Sequence, residues 1–157
     1  MGAEYKNKKN YAIKYADIVT QSFHPVKHFT TGEGGVALTN SKRIAKKISE
    51  LRSHGMVKSQ SFLDQNKGSW YYEMIEVGYN YRITDFQCAL GSSQLKKLDS
   101  FLTRRRDIAK IYDKHFSDNP FFKIPQVSKN VNHAYHLYPL QIDFSKKNKS
   151  KLKRSVK

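Results

Sequence analysis

The stretch SFHPVKHFTTGEGG, Ser22 to Gly35, places one lysine, Lys27, between an aromatic approach and a glycine-rich turn. Upstream, residues 16–23 (ADIVTQSF) mix β-branched and aromatic side chains with polar ones and stop at Pro25, which predicts a strand. Downstream, VALTN at 36–40 predicts a second strand, entered through a turn whose glycine pair accepts backbone angles that other residues resist. Ser41 then offers an N-cap, and Ile44, Ile48 and Leu51 follow at i, i+4, i+7, predicting an amphipathic helix that ends near Gly55. Lys27 therefore sits in a connection between two strands. A lysine that attacks an aldehyde must first lose its proton, against a free side-chain pKa of ~10.4. Burial beside aromatic rings, or a neighbouring cation, disfavours the ammonium form. Phe23, His24, His28 and Phe29 are the sequence neighbours that could supply this, and Ser22, five residues earlier, carries a hydroxyl able to donate to a phosphate. A solvated surface lysine is the ordinary alternative, and spacing alone leaves both readings open.

From Met56 to Gly78 neither helical nor strand periodicity persists, and a long loop is expected, with the aromatic cluster WYY at 70–72. TDFQ at 84–87 fits a capping box, so a long helix should begin there, continued by Leu95, Leu98 and Leu102 and then by Ile108, Ile111, Tyr112 and His115. Helix should stop before Asn119-Pro120. HAYHLYPLQIDF at 133–144 alternates like a strand. The order of elements suits an α/β protein with a second subdomain beginning near residue 120.

The chain has 157 residues, enough for one ordinary domain of ~100–150 residues or a piece of a larger one. At 38% hydrophobic and 13% aromatic it should pack a core rather than remain disordered. Its single cysteine, Cys88, forms no internal disulfide, and no apolar run nears the ~18 residues of a membrane span. MGAEYKNKKN lacks a signal-peptide core, so a cytoplasmic protein is expected. The net charge of +16 raises the question of nucleic acid, yet the basic residues are scattered, and only SKKNKSKLKRSVK at 145–157 is dense. Compositional bias accounts for the excess better than a binding face does.

Other motifs carry less. TTGEGG leads into VALTN rather than into Gly-Lys-Ser/Thr and a helix, which excludes a Walker loop. His24 and His28, and His133 and His136, lack a nearby third ligand, so no metal site is expected. Cys88, beside Ala89 and Leu90 in a predicted helix, reads as a buried, inert thiol. In GYNYR, Gly78 to Arg82, the fork of Arg82 could pair with a phosphate or carboxylate and Asn80 could donate an amide hydrogen bond. A turn-shaping Asn80 and a surface Arg82 account for the pattern equally well.

Taken together, SFHPVKHFTTGEGGVALTN, LRSHG, GYNYRITDFQCALGSSQLKKLD and HAYHLYPLQID resemble, in that order, the DegT-type nucleotide-sugar aminotransferases, and most of all their pseudaminic acid pathway members. These are fold-type-I enzymes dependent on pyridoxal 5′-phosphate (PLP). The likeness runs from residue 2 to about residue 144. It implies a partial type I PLP-dependent transferase fold: the C-terminal part of the large domain over 1–119, the start of the small domain over 120–144, and a basic, disordered tail over 145–157. It implies that Lys27 bonds covalently to the cofactor and also acts as acid and base. It further implies that Ser22 hydrogen-bonds the cofactor phosphate and that Asn80 reaches the phosphate of a neighbouring subunit's cofactor, with Arg82 in the same motif. His136 would lie on the substrate side. The implied reaction moves an amino group from a donor, usually glutamate, to a keto nucleotide sugar in surface-glycan or flagellin-glycan synthesis, within a homodimer that shares its sites.

The same resemblance marks departures. MGAEYKNKK is similar to the text directly following the family's aspartate motif, whose carboxylate pairs with the pyridine nitrogen. That motif, the glycine-threonine phosphate loop and the ring-stacking aromatic are not in this sequence, nor is the later HY-x-P segment. The expectation is therefore a fragment that does not transaminate alone and that a separately made N-terminal piece would complement. Two other classes stand beside it: a basic nucleic-acid-binding module, and an inactive remnant that pairs with an intact paralogue through GYNYR.

Overall fold

The computed structural model describes residues 1–9, 11–58, 68 and 70–146. Its elements run β1 (Glu4–Tyr5), β2 (Val19–Ser22), β3 (Gly35–Leu38), α1 (Lys42–Leu51), β4 (Met56–Val57), β5 (Glu73–Met74), α2 (Asp85–Leu95), α3 (Leu98–Phe116), β6 (Phe122–Lys123), β7 (Val131–Asn132) and β8 (Gln141–Ile142). Among the described residues the strands form four antiparallel pairs, β1 with β7, β2 with β3, β4 with β5 and β6 with β8. The chain divides into two compact units, Asn10–Gln94, and Met1–Lys9 with Leu95–Lys157. No division falls near residue 120. α3 shares its unit with β6 to β8, and β1 joins them by pairing Glu4 with Asn132 and Tyr5 with Val131.

In the first unit the strands expected at 16–23 and 36–40 form the β2–β3 hairpin, with Val19 opposite Leu38 and Ser22 opposite Gly35. Ser41 caps α1 as its spacing predicted, its Oγ accepting from Ile44 N–H at 3.4 Å. The helix stops at Leu51, and the following turn runs through Gly55, whose N–H donates to Glu50 C=O at 2.9 Å. Part of the expected loop between 56 and 78 is ordered as the β4–β5 pair; residues 59–67 and 69 of it lie outside the described residues. GYNYR then runs back along the end of α1. Tyr79 N–H donates to Leu51 C=O at 2.6 Å and Tyr81 N–H to Arg52 C=O at 2.9 Å, which satisfies carbonyls that a helix end leaves open.

The single helix expected after Thr84 is two, α2 and α3, broken at Lys96 and Lys97. The predicted leucine stripe splits with it, Leu102 being buried and Leu95 exposed. Cys88 is exposed, contrary to the sequence reading. α2 mixes apolar and polar residues with no separate apolar face and buries only Gly91, while Phe86 is 91% exposed and Leu90 is also exposed. Apolar neighbours in sequence therefore did not mean burial of the thiol. No helix among the described residues is long and apolar enough to cross a membrane.

The second unit overturns the strand expected at 133–144. Only Gln141–Ile142 is strand there, because Tyr135 adopts a left-handed backbone (φ 48°) and arginine side chains from α3 take the carbonyls of His133 and Tyr135 that a ladder would use. The aromatic alternation instead packs against α3. Tyr138 meets Tyr112 edge-on at 5.2 Å and donates to Asp113 Oδ1 at 2.6 Å. The basic tail lies, from residue 147 onward, outside the described residues.

Burial first, and then the hydrogen bond to Asp113 and its charge, push the Tyr138 phenol well above its ordinary value. On unfolding the phenol returns to about 10.0. Above that pH the unfolded chain binds fewer protons than the folded one, so stability falls as pH rises toward the folded value. Chemical denaturation at a series of alkaline pH values should show this loss, and Tyr138→Phe should flatten it. An unchanged profile in Tyr138→Phe would contradict the assignment.

Candidate active site

The loop 23–34 that closes the β2–β3 hairpin carries Lys27, and backbone bonds define its shape. Phe23 N–H donates to Gly34 C=O at 2.9 Å, and Thr31 N–H donates to Phe23 C=O at 3.1 Å. Thr30 Oγ1 donates to the same Phe23 carbonyl at 2.7 Å. Lys27 N–H closes a turn on His24 C=O at 2.9 Å, and the N–H of His24 donates to Ser22 Oγ at 3.3 Å. One residue thus ties Ser22 and Lys27 into a single stretch of backbone. Ser22 is exposed and Lys27 half-buried.

Two residues anchor this loop. Phe29 and Thr31 are each 4% exposed, and the Phe29 ring lies 4.6 Å from that of Phe23. α2 meets them at Gly91, where a Cβ would stand 2.7 Å from Thr31 Cγ2. Only a residue without a side chain allows that approach.

The capping box forms as predicted. Gln87 Oε1 accepts from Thr84 N–H at 3.0 Å and from Thr84 Oγ1 at 2.9 Å, while Thr84 Oγ1 accepts from Gln87 N–H at 3.4 Å. Gln87 also does something its motif gave no sign of: its Nε2 donates to Glu33 C=O at 2.9 Å, tying the start of α2 to the lysine loop. Gln87→Ala should therefore cost about 0.5–1.5 kcal/mol, the net contribution of a typical hydrogen bond. It should also speed tryptic cleavage after Lys27 beyond what that stability loss explains. Cleavage at the parental rate would contradict the tie.

Asn80 and Arg82 are exposed. Asn80 bridges Ser53, and the rings of Tyr79 and Tyr81 stack at 4.8 Å on either side of it in sequence. The structure places Ser22, Lys27, Asn80 and Arg82 in one compact unit and His136 in the other. His136 lines a cavity of about 190 Å³ with Arg105, Ile108, Ala109, Tyr112, Tyr135 and Tyr138. Sequence reasoning passed over Arg105 and its neighbour Arg106. The spacing of 105, 108, 109 and 112, one face of a helix, is the signal that would have found the first. Among the described residues no group of three or more His, Cys, Asp or Glu could hold a metal ion.

A model of the DegT/DnrJ/EryC1/StrS aminotransferases matches residues 1–157. The chain belongs to that family. It is 46% identical, over 89% of its length, to the UDP-4-amino-4,6-dideoxy-N-acetyl-beta-L-altrosamine transaminase of Campylobacter jejuni strain 81-176, of which it covers 35%. Among solved structures it is similar to Helicobacter pylori PseC, an aminotransferase involved in the biosynthesis of pseudaminic acid, with TM-score 0.78 and 35% identity over 96% of this chain and 38% of that one. It is likewise similar to the putative sugar aminotransferase Spr1654 of Streptococcus pneumoniae in its PMP-form, with TM-score 0.79 and 32% identity over 91% of this chain and 37% of that one. The chain thus spans well under half the length of the relatives it matches, and its fold is a part of the type I aminotransferase fold.

Proposed function

We propose that this chain carries the lysine-bearing part of a PLP site in a nucleotide-sugar aminotransferase. The supporting observation is the loop 23–34, which joins Ser22 and Lys27 through His24 and is anchored on α2 by Phe29 and Thr31. The donor set suits PLP, with an amine for its aldehyde, and a hydroxyl, an amide and a guanidinium for its phosphate or for an anionic substrate group. When bound, the cofactor supplies the electron sink.

The residues do the rest. Lys27 Nζ would be the amine that holds the cofactor at its aldehyde, and the same nitrogen would hold and move the proton at the substrate carbon. Ser22 Oγ would donate to the phosphate. Asn80 and Arg82, both exposed, reach a second subunit's site, which makes the working protein a homodimer. His136 faces the nucleotide sugar. The amino donor is glutamate and the acceptor a keto nucleotide sugar of a surface or flagellin glycan, with a cytoplasmic setting as part of this reading.

The residues named for the site include no carboxylate to meet the pyridine nitrogen. Co-expression with the N-terminal portion of the H. pylori enzyme that this chain does not match should yield glutamate-dependent amination of a UDP-4-keto sugar. Lys27→Ala should abolish it. A folded, co-purifying pair with no transfer would contradict the reading, as would transfer by the Lys27→Ala pair.

A further inference from the structure

Tyr135 is held at φ 48°, a left-handed backbone that is strained for a non-glycine residue. Such a conformation persists where its surroundings over-determine it. Here they do so through two adjacent side chains of α3. Arg105 Nη1 donates to Tyr135 C=O at 3.3 Å, and Arg106 Nε donates to His133 C=O at 3.1 Å. The far end of Arg106 donates to Gly2 C=O at 3.2 Å, so its planar fork bridges carbonyls of two separate segments. Within the turn, Tyr135 N–H donates to His133 Nδ1 at 3.1 Å, the two rings meet edge-on at 4.6 Å, and Ala134 between them is buried.

The residue that follows this turn is His136, and it lines the 190 Å³ cavity against the same helix. The backbone angles at Tyr135 set the direction in which His136 leaves the turn. We infer that Arg105 and Arg106 are positioning residues, a clamp that holds the left-handed turn at Tyr135 and so aims His136 into the cavity beside α3. This rests on the proposed substrate-side role of His136 for its functional meaning, but not for its geometry.

The full chain, labelled at histidine, tests it by NMR, with the His136 ring signal assigned from its absence in His136→Gln. Arg106→Lys keeps the charge but loses the planar fork whose separate Nε and Nη2 donors reach the two carbonyls, and it should shift the His136 signal while the other histidine signals outside the turn stay in place. Tyr135→Gly adopts the left-handed turn without penalty, so Arg106→Lys should shift His136 less on that background than on the parent. An unmoved His136 signal in Arg106→Lys, or an equal shift on both backgrounds, would overturn the clamp. Titration with UDP-N-acetylglucosamine separates the two claims. A parent His136 signal that responds to the probe, with affinity several-fold weaker in Arg106→Lys, supports both. A signal that ignores the probe yet moves in Arg106→Lys supports the clamp and overturns the substrate-side role.

Discussion

Gly55→Val should be the most damaging single substitution in the first unit. A Cβ at residue 55 would stand 2.0 Å from Glu76 C=O, and the residue holds φ +68°. Overpacking of this kind costs about 1–3 kcal/mol, and a left-handed backbone on a non-glycine residue about 1–2 kcal/mol more, for a loss of roughly 2–5 kcal/mol. Against a total stability of about 5–15 kcal/mol, that is a large share. The damage has a predictable place. Gly55 C=O accepts from Ile75 N–H at 3.0 Å, and His54 N–H donates to Tyr79 C=O at 2.9 Å, so displacing Gly55 detaches GYNYR from the end of α1. Urea denaturation should show the loss, and hydrogen exchange should show Tyr79 and Tyr81 amides losing protection before those of β2 and β3. A variant as stable as the parent would mean that the close approach at Glu76 is not maintained in solution.

The second large effect is chemical rather than structural. Lys27→Ala should abolish covalent PLP capture, and Lys27→Arg should abolish it equally, since a guanidinium keeps the charge without offering an amine nucleophile. Stability should change by only about 0.5 kcal/mol, because Phe29 and Thr31, not Lys27, are the buried anchors of the loop. Absorbance of PLP-treated protein after gel filtration, with a thermal melt alongside, measures both quantities. Retained absorbance in Lys27→Arg would assign the cofactor to another amine.

What was legible in the sequence was what local chemistry decides. The β2–β3 hairpin, the Ser41 cap and the Thr84–Gln87 box each follow from a handful of consecutive residues, and each is present. The motifs that carry the family likeness also stood in plain order along the chain. What could not be read were the long-range partners. Alternation at 133–144 resembled a strand because a row of aromatics packed on a helix leaves the same pattern as a half-buried ladder. The distinction lay in Arg105 and Arg106, about thirty residues away. Ala89 and Leu90 beside Cys88 give no sign of its exposure, because α2 has no separate apolar face and buries only Gly91. The pairing of β1 with β7, residues 4–5 with 131–132, is another long-range contact that local patterns do not show. Lys27 itself was ambiguous by spacing, and the bonds through His24 and the anchors at Phe29 and Thr31 give it a defined setting.

The central claim is that this one lysine is the point of cofactor attachment. Borohydride reduction of the PLP-treated chain, followed by tryptic mapping, tests it most directly. A single pyridoxyl group per chain, on Lys27, is expected at PLP concentrations that leave the remaining lysines unlabelled. Label distributed over other lysines, with none enriched at Lys27, would contradict it.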